Sequence, residues 1–321
     1  MKHRWILLVL LVLAVITPVV SGEKPLVMRV DGVLYVPLLE PISERTLGGE
    51  IQSPPRYRDA WVQKVLSRPP NWAWFPLNAY SAETIDLESA VPFPSEPSTE
   101  HWFGTDAQGR DLFARVVEGF RFSVLFGLSL AAASLALGAG LGAMQGYLGG
   151  WFDLAIQRLT EAWSLLPELL VLLLVASLIS PHVGTLWLVL LAFGWMGVAD
   201  QVRAEVLRNR QQGYVTAARA MGLSGFQLVL RHLLPNSVGG AIALLPLRTL
   251  AAVLSLVSLD FLGVTWGIDA PTLGGLLAEA AGGQSPWWQT TFVVSVLFLL
   301  LLLLCLAAGL FDARREGRRP C

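Results

Sequence analysis

The stretch Tyr214-Val-Thr216-Ala217-Ala218-Arg-Ala220-Met221-Gly222-Leu-Ser224-Gly-Phe226-Gln-Leu-Val229-Leu230-Arg231-His-Leu-Leu234-Pro235-Asn236 decides the reading of this chain. Val215 to Met221 favours helix, and Gly222 stands where a glycine stops one. Ser224 can cap a second helix, from Gly225 to Leu234, which Pro235 is expected to terminate. Two short helices with a fixed elbow follow. Ala217, Ala218 and Met221 form a small, smooth face; Phe226, Val229, Leu230 and Leu233 form a greasier one. Small residues permit close approach and arginines flank the contact, so the pair suits a groove on another protein. The plainer alternative is an amphipathic helix pair lying at a membrane interface.

The elbow sits in an apolar chain. Of 321 residues, 54% are hydrophobic and only 15% charged, against about a quarter charged in soluble domains. The chain therefore reads as a polytopic membrane protein. A crossing needs about 20 apolar residues, and six runs qualify or nearly do: Trp5–Val20, Arg121–Gly146, Leu165–Ile179, Val183–Val198, Val238–Gly263 and Phe292–Phe311. Gly138, Gly142 and Gly146 recur every fourth residue in the second run, a stripe that lets another helix approach closely. The first run follows a basic start, Lys2 and Arg4, and precedes a tolerable cleavage site at Val20-Ser21-Gly22. It reads as a retained signal anchor in preference to a cleaved signal peptide, because about 16 apolar residues exceed a usual signal core.

Between the first two runs, hydrophobicity falls. Leu26–Val30 and Val33–Leu38 flank Asp31-Gly32, the dipeptide of two-residue hairpins. Trp61, Trp72 and Trp74 alternate with proline pairs. Core or bilayer-interface packing is the ordinary use of such indoles, a docking surface the other. The expected division is a helix over 1–21, a mixed α/β insert over 22–118, a five-helix domain over 119–312 holding the elbow within 203–236, and a basic tail over 313–321.

Charge orients the chain. Arg203, Arg208, Arg210, Arg219 and Arg231 lie between the fourth and fifth runs, and Arg314, Arg315, Arg318 and Arg319 follow the sixth. The 264–288 linker and the turn near Pro181 hold no Lys or Arg. Basic residues mark the cytoplasmic side, so both termini and the elbow lie inside and the insert lies outside. Much chemistry is excluded. Lysine occurs only at Lys2, Lys24 and Lys64, so no glycine-rich loop supplies a phosphate-binding lysine. The four histidines are scattered, leaving no metal-binding spacing, and a net charge of -1 excludes a strongly basic nucleic-acid binder. Arg248 and Asp260 are ionisable residues within an apolar run, expensive in lipid, and so structural or pathway-lining. Twelve residues apart, they lie about 18 Å apart along one helix, so each needs another partner. Glu168, beside Pro167, is expected to snorkel to the interface.

The elbow resembles the "EAA" loop of ABC-transporter permeases. Thr216 stands where that family usually has Glu, while Ala217, Ala218, Gly222 and Leu234-Pro235-Asn236 match. Tyr214, Ala220 and Arg231-His232 resemble the dipeptide/oligopeptide branch. Gly104-Thr105-Asp106-Ala-Gln-Gly109-Arg110-Asp111 looks like its G-T-D-x-x-G-R-D segment, which on local grounds is also a capped turn. Gln145–Asp153, Leu259–Gly263 and Pro271–Gly275 resemble further family segments. Asp260 and the long insert resemble the subgroup of microcin C type peptide importers. The resemblance implies an all-α polytopic fold of type I importer architecture with six transmembrane helices. It implies a bacterial inner-membrane subunit, not itself an enzyme, that binds no cofactor, ATP and Mg being used by partner subunits. It implies a second homologous permease, two ATPase subunits or one fused ATPase, and a periplasmic peptide-binding protein. In that family the loop docks on the ATPase and transmits nucleotide-driven closure to the pore. The competing class is an ion-coupled secondary transporter, which would want inverted repeats around buried acids.

Overall fold

The computed structural model describes residues 4–50, 52–86, 91–179, 182–264, 271–282 and 285–316, with side chains from Trp5 up to Gly309. Pro181, part of the expected 264–288 linker and the arginines of the tail lie outside what is described, wholly or in their side chains. The chain forms two compact units, one of Val12–Phe122 and Ala270–Leu297, the other of Met1–Leu11, Ser123–Asp269 and Phe298–Cys321.

In the first unit, β1 (Val27–Val30) pairs antiparallel with β2 (Val33–Tyr35) and with a third strand, β3 (Trp72–Trp74), in the order β2-β1-β3. Asp31 and Gly32 have φ of 49° and 85°, the two left-handed residues of a type I′ turn. Helix α2 (Ala60–Leu66) covers the sheet. Met28, Val30, Leu47, Tyr57, Val62 and Leu66 form the core, each fully buried Val, Leu or Met being worth about 1.5–3 kcal/mol. Two of the tryptophans do not join this core. Trp72 and Trp74 are 44% and 71% exposed, because β3 is an edge strand whose alternate side chains face away from that core.

Helix α1 (Arg4–Val20) is 17 residues long and apolar. Helix α3 (Leu112–Leu148) runs for 37 residues. Then come α4 (Gly150–Ser164) and α5 (Glu168–Leu178), bent by 76° around Leu165–Pro167. Helices α6 (Val183–Gly194) and α7 (Met196–Asn209) together make a 27-residue span. Next are α8 (Gly213–Ala220), α9 (Gly225–Leu228), a π-turn at Val229–Leu233, α10 (Leu234–Ser237) and α11 (Gly239–Ala243). A 53° bend at Leu244 leads into α12 (Leu245–Phe261). Helix α13 (Leu273–Ala281) and the long α14 (Trp287–Glu316) complete the described chain.

Among the described residues, three helices are long and apolar enough to cross a membrane: Leu112–Leu148, Val183–Asn209 and Trp287–Gly309. The number rises to five if each bent pair is one span. The apolar run at Leu165–Ile179 thus contributes only an 11-residue helix of its own. Pro167 cannot donate to the helix preceding it, and the chain turns there.

Candidate functional site

The elbow has the expected geometry at its centre. Helix α8 ends at Ala220 with Met221 as its C-cap, and Gly222 takes φ +84°. Gly222 N donates to Arg219 O at 3.0 Å and Leu223 N to Ala218 O at 3.4 Å, the paired bonds of a Schellman stop. A Cβ on Gly222 would meet nothing within 4 Å, so the constraint there is backbone conformation, not space. Ser224 Oγ accepts from Gln227 N at 3.4 Å while Gln227 Oε1 accepts from Ser224 N at 3.2 Å. That reciprocal capping box fixes the start of α9.

Beyond it the expectation fails. Pro235 does not end the second helix; the helical path runs on through α10 to Ser237. A proline removes one N–H and clashes with the carbonyl four residues back. The π-turn at Val229–Leu233 widens the helix just before the proline and accommodates both defects. Asn236 Nδ2 then donates to His232 O at 2.7 Å.

The faces also differ from the sequence reading. Ala218 and Leu233 are buried, and Val229 packs against the same core as Val202, Val206, Val215 and Leu228. A helix of 3.6 residues per turn places Ala218 about 100° from Ala217, so the two cannot share one face. What remains exposed is Tyr214, Thr216, Ala217, Ala220, Met221, Arg231, Pro235 and Asn236, with Phe226 and Leu230. Leu234 is half-buried. Met221 and Phe226 are each 73% exposed, large apolar side chains flanking the elbow.

The elbow is bolted to the long helices. A Cβ on Gly138 or Gly142 would run into Trp195 O or Ala199 O, and one on Gly146 would lie 2.8 Å from Val206. The glycine stripe of α3 is therefore the seat of α7. Arg203 makes a bidentate pair with Asp153 of α4, at 2.5 and 2.7 Å. Arg210 Nη1 donates to Gly146 O at 3.1 Å, and Asn209 Nδ2 to Ser237 Oγ at 2.9 Å. Gly225 lies against Tyr147, whose hydroxyl would be 2.6 Å from an added Cβ. The Asp153–Arg203 pair and the Gly225–Tyr147 contact were not foreseen in the sequence, since the partners are distant along the chain.

The Gly104–Asp111 segment forms a separate cluster, in the other unit. Asp106 accepts from Gln108 N and Arg110 N at 2.9 Å, from Arg110 Nε at 2.7 Å and from Arg115 Nη1 at 2.6 Å. Arg115 in turn pairs with Glu279 of α13 at 2.7 and 2.9 Å. Asp111 Oδ1 caps α3 by accepting from Ala114 N at 2.7 Å. Its Oδ2 lies 2.8 Å from His101 Nδ1, and His101 Nε2 lies 3.1 Å from Asp86. His101 is held above its usual range by the bond to Asp111, against burial and with the help of Asp86. Thr105 Oγ1 accepts from Ser95 N at 2.8 Å. Gly104 and Gly109 abut Ser95 and the Phe93 ring, leaving no room for a side chain. These buried residues make the segment a capped, charge-locked turn at the foot of α3.

Arg248 and Asp260 both lie on α12, as far apart as expected. Arg248 Nη1 donates to Gly194 O at 3.0 Å, and Asp260 is buried. Glu168 is half-buried: its carboxylate accepts from Ser255 Oγ at 3.4 Å and lines a cavity of 180 Å³ with Arg248. No group of three or more His, Cys, Asp or Glu residues able to hold a metal occurs among the described residues.

Residues 138–316 match the family described as "Binding-protein-dependent transport system inner membrane component". The chain is 40% identical over 284 residues to the "Inner membrane ABC transporter permease protein YejE" of Escherichia coli (strain K12), covering 88% of this chain and 83% of that protein. It is 34% identical over 308 residues to the "Peptidoglycan transport system permease protein YejE" of Agrobacterium fabrum, with 88% and 80% covered. To the "Dipeptide transport system permease protein DppC" of Bacillus subtilis it is 37% identical over 191 residues, with 60% and 59% covered.

Proposed function

The chain belongs to the binding-protein-dependent transport system inner membrane components, and we propose that within this family its elbow is the handle by which separate ATPase subunits drive peptide import. It is a permease subunit of an ABC peptide importer of the bacterial inner membrane. The reading of the elbow as coupling site rests on one observation above the others. A rigidly seated pair of short helices presents exposed Tyr214, Ala217, Met221 and Phe226 beside arginines, while its inner side is locked to α3 and α7.

In this proposal the chain crosses the membrane six times. Helix α1 is a retained anchor, each bent pair counts as one crossing, both termini and the elbow are cytoplasmic, and the 22–118 insert is periplasmic. The arginines around the elbow support that orientation. The chain pairs with a second, similar permease, two ATPase subunits or one fused ATPase, and a peptide-loaded periplasmic receptor. It binds no nucleotide and catalyses no reaction itself. Closure of the ATPase dimer on ATP pushes the elbow, and the Gly138–Gly146 seat and the Arg203–Asp153 pair pass that push to α3, α7 and α4. Nucleotide and loaded receptor favour the outward-open state by binding it better than the inward-open one. The cargo is a peptide, with a microcin C-like peptide antibiotic as a further substrate of the same route. Thr216 removes a carboxylate from the ATPase contact, leaving shape and apolar contact to carry it.

Copurification tests the proposal. ATPase subunits are expected to follow the wild-type chain out of the membrane and to be lost with Met221→Asp and Phe226→Asp together, whose side chains face outward. Retention of the ATPase by that double variant would contradict the elbow as docking site.

A further inference from the structure

We propose that the cavity between Glu168 and Arg248 is a subsite for the main chain of the peptide in transit, taking its ammonium end at Glu168 and a carbonyl or carboxylate oxygen at Arg248. This rests on the peptide-importer reading above and adds to it a place of contact. The two residues are far apart in sequence, on α5 and α12, yet line one cavity of 180 Å³ together with Ser134, Ser255 and the backbone of Gly194. An ionisable side chain inside a helical bundle is costly in a membrane, and such residues as a rule line a path or meet a partner. Among the described residues these two form no ion pair with each other or with another group. Their hydrogen bonding is also far from saturated. Arg248 spends one donor on Gly194 O, and its Nε is buried without a partner. A guanidinium carries five donors. Glu168 accepts one bond, from Ser255 at the long distance of 3.4 Å, where a carboxylate has room for about four.

An acid, a base, a hydroxyl and a backbone carbonyl side by side match what every peptide has in common. The main chain offers N–H and C=O groups in alternation, with an ammonium at one end and a carboxylate at the other. The volume is below the roughly 300–1,000 Å³ of sites that enclose a drug-sized ligand, so the cavity grips a short piece of chain and leaves side chains outside. That is a fitting property for a conduit that must hold many sequences and release them. Binding along such a path has to be weak enough to let go, and one contact at each end meets that condition.

The test uses the complete importer with its receptor in proteoliposomes, at saturating peptide, and compares a tripeptide with its N-acetylated form. Glu168→Gln keeps the size and the bond to Ser255 but removes the charge. It is expected to slow uptake of the free-amine tripeptide about tenfold, the scale of one charge-assisted hydrogen bond, and to leave the acetylated tripeptide near the wild-type rate. Arg248→Gln is expected to slow both. Equal loss on both peptides in Glu168→Gln would mean a structural role and would overturn the subsite; so would no loss on either. If Glu168→Gln fails to assemble, Glu168→Asp serves in its place. It keeps the charge on a shorter arm, and it must retain a preference for the free amine, with loss of that preference overturning the subsite. Failure of wild type to import either peptide with ATP would instead bring down the peptide-importer reading, while ATP-driven wild-type import with variants indifferent to acetylation would bring down the subsite alone.

Discussion

Gly222 sits at φ +84° with open space around it, so any side chain fits and the backbone alone objects. A non-glycine residue held there costs about 1–2 kcal/mol, and a β-branched one is the worst case. Gly222→Val is expected to leave the protein inserted while uptake falls about tenfold, the rate equivalent of such a cost; a radiolabelled-peptide uptake assay beside an immunoblot of membranes reads both. His101 gives a pH prediction of its own. Its folded value is raised, chiefly by Asp111, so the protonated form stabilises the turn. That contribution is complete below about pH 6.5, the ordinary histidine value, and is lost as pH rises through the raised value. Limited proteolysis of the 22–118 region should therefore proceed faster at pH 9 than at pH 6. His101→Gln should flatten the difference, and an unchanged pH dependence in that variant would count against the clamp.

The helices carry a sharper contrast. Gly142 has the Ala199 carbonyl directly over it, whereas Gly140, two residues earlier, has nothing within 4 Å of an added Cβ. Gly142→Leu should lower the detergent unfolding temperature, since overpacking costs about 1–3 kcal/mol. Gly140→Ala should leave it unchanged or raise it. Differential scanning fluorimetry separates the two, and equal effects would mean that α7 is not seated on this stripe. The same elements show what could be read before folding. The stop at Gly222, the cap at Ser224 and the turn at Asp31-Gly32 were legible because each is settled within a few neighbouring residues. The passage of the helix through Pro235 was not, since the π-turn that absorbs it is held by burial of Leu228 and Leu233 against α3 and α7. Nor did hydropathy reveal the bends at Pro167 and Leu244, because an apolar run reads the same whether straight or broken. Nor did it show that Glu168 and Arg248, on different helices, line one cavity.

At the scale of the molecule, the membrane character and the apolar runs were plain from composition, whereas their number as spans was not. Among the described residues three to five candidates survive by length and composition, and the six-crossing topology is a statement about sides that labelling decides. In a background where Cys305 and Cys321 are replaced, Ser53→Cys should react with an impermeant maleimide from the periplasm, and Gln212→Cys only after the membrane is opened. The reverse pattern would invert the protein and remove the elbow from the ATPase side.

The central claim, that nucleotide acts on the lipid-embedded helices through this elbow, is tested most directly by peptide accumulation in proteoliposomes holding the whole importer, with ATP supplied and every ion gradient collapsed. The account predicts ATP-dependent accumulation by wild type and about a tenfold slower rate with Gly222→Val, the cost of holding a side chain in that conformation, although the ATPase stays bound. Accumulation that needs a proton or sodium gradient and ignores ATP, or a Gly222→Val importer that runs at the wild-type rate, would contradict it.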